Sequence, residues 1–174
     1  MPTRKTLKTL MEALYYPSIL GAGFFVIVSR GIDALLASVI SVSFYFAIIL
    51  LVYFSISFLL TTRTHHDSYR GSLFCLDLIE AVLLLLMFSA LGFAETSQST
   101  VHLLRFYWIL LFIPALQFVW HWQSGQPIWS RLWAVLCGFA IAIAGICLRR
   151  YAPCVDWALA AALAALVFSY MRAL

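Results

Sequence analysis

From Ala34 to Leu60 the chain runs without a single charged side chain. A spanning helix needs ~20 mostly apolar residues to cross ~30 Å of hydrocarbon. Lipid offers backbone groups no partners, so such a segment must satisfy its own hydrogen bonds, as a helix does. The rest of the chain has the same character. Of its 174 residues, 64% are hydrophobic and 10% charged, against ~45–50% and ~25% in an ordinary soluble domain. Eleven Lys/Arg and seven Asp/Glu are too few to clothe a globule of this size in water. Disordered, collagenous and disulfide-rich secreted chains are excluded by the same composition. What remains is a polytopic membrane protein.

Six segments are expected to span, at roughly 11–29, 34–60, 72–93, 103–121, 131–148 and 155–171, each near the ~20 residues required. The expected fold class is all-α, a transmembrane helical bundle forming a single domain over residues 1–174. A small barrel is excluded because Leu83-Leu84-Leu85-Leu86 does not alternate with period two. The first segment follows Arg4, Lys5 and Lys8 and so imitates a signal peptide, but it lacks an A-x-A-type cleavage site. It is read as a retained helix turning through Arg30-Gly31-Ile32-Asp33 into the second. An interfacial helix with five spans is the alternative.

Six spans place Arg4, Lys5, Lys8, Arg63, Arg70, Arg131 and Arg172 on one side, and Arg30, Arg105, Arg149 and Arg150 on the other. The richer side is expected in the cytoplasm, with both termini, in a plasma or inner membrane. Trp120, Trp122, Trp129 and Trp133 bracket the fourth loop and fit an aromatic belt. No linker or second domain is visible, and the two halves share no residue pattern beyond hydropathy.

Helices in lipid pack closely through small residues. The fifth segment carries Ala134, Gly138 and Ala142 four apart; the sixth carries Ala158 and Ala162, and beside them Ala161, Ala165 and Ser169. These stripes predict a tight hairpin between the two. Arg149, Arg150 and Asp156 are expected to pair across it. In the second segment Ser38, Ser41 and Tyr45 share one face, with Tyr53 and Ser57 further along. Hydroxyls can bond back to helix carbonyls or line a polar pathway.

Asp77 and Glu80 are the most informative residues. Their i, i+3 spacing puts both carboxylates on one helix face. Acidic side chains are too short to snorkel far, so Glu80 needs a protein partner, a water-filled cavity or a proton. In the fourth segment Pro114, Gln117 and His121 lie along one side, with Pro114 expected to kink the helix. Connectivity brings His65, His66, Asp67, Asp77, Glu80, Gln117 and His121 to one mouth of the bundle. Three readings are open there. Asp77, Glu80, Gln117 and His121 form a proton or cation pathway; His65, His66 and Asp67 are weak candidate metal ligands; or the loop is solvated and the acids pair with Arg63 or Arg70.

Cys75, Cys137, Cys147 and Cys154 show no metal spacing; Cys137 is expected to be a small packing residue. Whether Cys147 and Cys154 bridge depends on a separation the sequence does not contain. Protease, Walker A and dinucleotide motifs are absent, so no cofactor is expected and an enzyme is the lesser possibility. The net charge of +4 comes from scattered flanking residues, not a nucleic-acid stripe. The expected function is an ion, proton or small-solute pathway, as channel or transporter, in a homo-oligomer. The alternative is a non-catalytic subunit or assembly factor that binds a membrane-protein partner.

Overall fold

Pro17 imposes the first departure from a uniform helix. Its ring crowds the carbonyl four residues back, and it has no N–H to donate. The chain opens into a wide turn over Met11–Tyr15, where the Tyr16 N–H bonds to the Met11 carbonyl. This π-helical turn joins α1 (Arg4–Leu10) to α2 (Tyr16–Ala37). The computed structural model describes residues 4–37, 41–63, 71–92, 99–124, 132–152 and 154–172. The remaining helices are α3 (Val42–Arg63), α4 (Gly71–Gly92), α5 (Ser99–Leu110), α6 (Phe112–Ser124), α7 (Leu132–Leu148) and α8 (Val155–Arg172). Among the described residues there is no strand.

Five stretches are long and apolar enough to cross a membrane: Thr6–Ser29, Val42–Leu59, Gly71–Gly92, Val101–Ser124 and Val155–Arg172. The shorter Leu132–Leu148 reaches ~25 Å at ~1.5 Å per residue. The fold is an all-α bundle compatible with a multi-pass membrane protein. Neighbouring passes run antiparallel. Tyr16 packs on Phe54 and Phe58, at 5.2 and 5.0 Å between ring centroids, while Gly23 lies against Leu51 and Phe88. The first pass thus lies along α3 and α4.

The first hairpin does not turn at Arg30-Gly31-Ile32-Asp33. Helix α2 continues through these residues to Ala37, and α3 begins at Val42. A lone glycine costs a helix only ~1 kcal/mol, and Ala34-Leu35-Leu36-Ala37 beyond it are strong helix formers. The fourth pass is interrupted at Leu111, between α5 and α6. Pro114 lies three residues on, and its missing donor leaves the Leu110 carbonyl without its helical partner.

Helix α8 is rotated away from the expected hairpin seam. Ala158, Ala161, Ala162, Ala165 and Ser169 face outward, and the buried face is Asp156, Leu159, Ala160, Leu163 and Val167. Helices α7 and α8 are in contact, but the small residues of α7 serve another neighbour. A β-carbon on Gly138 would lie 2.8 Å from Pro114 Cγ, and one on Gly145 would collide with the Tyr107 ring. The rotation of α8 follows from its charge, because burying Asp156 requires the partners described below. Cys137 also faces outward, one residue and about 100° round the helix from the packing position Gly138. All four cysteines, Cys147 and Cys154 included, are free thiols.

Candidate functional site

Four helices bring polar side chains to one buried cluster. Tyr53 and Ser57 are four apart on α3, Asp77 and Glu80 three apart on α4, and Gln117 and His121 four apart on α6, so each pair shares a face. Tyr170 completes the set near the end of α8. Glu80 stands at the centre and is 5% exposed. It lies roughly 14 Å into α4 from Gly71 at ~1.5 Å per residue. Its Oε1 accepts one hydrogen bond from the Tyr53 hydroxyl and one from Gln117 Nε2, both 3.0 Å. Ser57 also bonds to its carboxyl group, and Asp77 adds a second acid beside it. Among the described residues the partners of Glu80 are therefore neutral donors.

His121 and Tyr170 close one side of this cluster. The Tyr170 hydroxyl and His121 Nε2 are 3.4 Å apart. A small polar cavity of about 10 Å³ is lined by Ser57, Asp77, Glu80, Gln117, Trp120, His121 and Tyr170. That is near the ~10–15 Å³ needed to hold one water. Next to it lies a larger cavity of about 90 Å³. Its walls are apolar, with Leu50, Leu84, Ile113 and Leu163 among them. Tyr53, Gln117, His121 and Tyr170 also line it. Gln117, His121 and Tyr170 line both cavities.

A second buried polar cluster occupies the other end of the bundle. Arg149 Nη1 is 2.6 Å from Asp156 Oδ2, as expected for an ion pair across the α7–α8 hairpin. The Tyr107 hydroxyl donates to Asp156 Oδ1 at 2.8 Å. Phe46 covers this cluster from within, its ring 4.8 Å from Phe106 and 5.8 Å from Tyr107. Tyr107 and Gln117 are separated by roughly 15 Å of helix. The residues facing the interior between them, including Leu110, Ile113 and Pro114, are apolar.

The four expected pathway residues, Asp77, Glu80, Gln117 and His121, are thus brought to one cavity. His65, His66 and Asp67 lie outside the described residues, as do the side chains of Arg63 and Arg70. Among the described residues no three His, Cys, Asp or Glu side chains are grouped to hold a metal ion. His102 is half-buried on α5, and Arg105 is exposed. The hydroxyls of α3 divide: Tyr53 and Ser57 join the cluster, whereas Tyr45 turns outward against Trp157, 5.3 Å away. Trp120, assigned from sequence to an aromatic belt, is buried against His121 with ring centroids 5.5 Å apart.

Tyr170 and Tyr107 were not expected in these clusters. A signal for Tyr170 exists in the sequence, because Leu163, Val167 and Tyr170 follow at helical spacing on the buried face of α8. For Tyr107 no local pattern points to an acid 49 residues away. The chain matches no known family model, no curated protein and no solved structure.

Proposed function

We propose that the protein provides a pathway for a small solute linked to a proton or cation, with Glu80 as the group that exchanges the charge. The observation that carries this reading is the setting of Glu80. A carboxyl group well inside a span accepts hydrogen bonds from neutral donors, has Asp77 beside it and lines the smaller cavity. Ionisable groups at such depth are costly and generally mark a site. The apolar layer between the two polar clusters supports a closed transporter-like state over an open channel. In this reading His121 and Gln117 line the route from the mouth to Glu80, and both termini are cytoplasmic.

Flux through vesicles reconstituted with the purified chain tests the reading. Glu80→Gln preserves shape and hydrogen-bond acceptance but removes the titratable group. Its flux is expected to fall at least ~10-fold, equivalent to ~1.4 kcal/mol, and to lose its dependence on pH. Unchanged flux with unchanged pH dependence would overturn the assignment.

A second observation bears on partners. The outward small residues of α8 form a face on which another membrane helix can approach closely. It favours assembly, either with further copies of this chain or within a larger complex. Gentle solubilisation followed by mass measurement separates these: a defined homo-oligomer supports the pathway in its simplest form, and a stoichiometric foreign partner supports an accessory subunit.

A further inference from the structure

We propose that the two adjoining cavities form one binding site for a small amphipathic amine, a compact hydrocarbon body carrying a protonated nitrogen. This rests on the reading of Glu80 as the charge-exchanging group and names the solute it serves. The head and body of such a molecule match the two compartments separately. An ammonium group is about the size of a water, and the polar cavity of about 10 Å³ is close to the ~10–15 Å³ a water requires. Its acidic lining residues among the described set are Asp77 and Glu80, accompanied by His121 as a further titratable group, with no Lys or Arg. That balance favours a cation and opposes an anion. Tyr170 and Trp120 also line it, and aromatic rings are side chains near which a cation is favoured.

The body belongs in the larger cavity. At about 90 Å³ it is smaller than the ~150 Å³ engineered cavity that accepts benzene. A body of about four carbon atoms is therefore expected to fit better than an aromatic ring. The walls offer it apolar contact from α3, α4, α5, α6, α7 and α8. Gln117, His121 and Tyr170 stand between the compartments and form the neck. The Tyr170 hydroxyl and His121 Nε2, 3.4 Å apart, lie at this neck.

Three probes of the same branched body but different charge decide the matter on the unaltered protein. Saturable binding of isobutylamine, isobutanol and isobutyrate is measured on the full chain in lipid nanodiscs, with no flux required. Isobutylamine is expected to bind at least ~10-fold more tightly than isobutanol, and isobutyrate not to bind. Benzylamine is expected to bind more weakly than isobutylamine. Val167→Ala enlarges the cavity and reverses that order, while Ala134→Leu fills it and abolishes binding.

Binding of isobutanol or isobutyrate equal to that of the amine overturns the proposal, as does absence of saturable amine binding. If the amine binds but Glu80→Gln leaves flux unchanged, the site stands and the pathway falls. If flux depends on Glu80 and the amine does not bind, only the solute assignment falls.

Discussion

Gly145 lies against the ring of Tyr107 with no space for a β-carbon between them. The close approach lets Tyr107 pass beneath α7 and donate to Asp156 on α8, so one missing side chain ties three helices together. Gly145→Ala must displace the ring or the helix. Overpacking of this kind costs ~1–3 kcal/mol, and a clear fall in melting temperature is expected for the purified protein. A melting temperature equal to wild type would mean that Tyr107 has room to move without leaving Asp156.

Arg149 and Asp156 are 7% and 3% exposed, so neither charge can be stranded cheaply. Removing one member of a buried pair costs ~3–5 kcal/mol, whereas replacing both by apolar groups is often neutral. Asp156→Leu alone is expected to destabilise strongly, and Arg149→Met combined with it to recover much of the loss. A double-mutant cycle in denaturant measures the coupling. Additive losses would show that the two side chains act independently.

Glu80 satisfies the Tyr53 hydroxyl and the Gln117 amide through a single oxygen. Glu80→Ala leaves both donors buried and unmet, at ~1–3 kcal/mol each. Glu80→Gln keeps an acceptor in place and should unfold close to wild type. Thermal unfolding of the two variants side by side checks this, and equal losses would remove the hydrogen-bonding role from Glu80.

Ala161 and Ala165 face outward on α8. Ala161→Trp therefore leaves the interior of the chain untouched but blocks close approach of another helix. The expected result is a shift toward the monomer in gentle detergent, with unchanged melting of the monomer itself. An unaltered mass distribution would show that this face of α8 is not an assembly surface.

The amino-acid sequence alone determined the helical membrane-bundle class, the approximate place of the apolar segments, and the end of the bundle where Asp77, Glu80, Gln117 and His121 gather. Uncharged runs have one stable form in lipid, and helical spacing with alternating direction brings Asp77, Glu80, Gln117 and His121 together. Rotation of each helix was a different matter. Hydropathy separates inside from outside only where the outside is water, and in a bilayer both faces of a helix are apolar. The alanine stripes of α8 therefore read as a seam although they face outward. Its rotation is decided by Asp156 at one end and Tyr170 at the other, which meet Tyr107 and His121 on distant helices. Only the tertiary structure brings those partners within hydrogen-bond reach, and the same geometry leaves open the cavities between them.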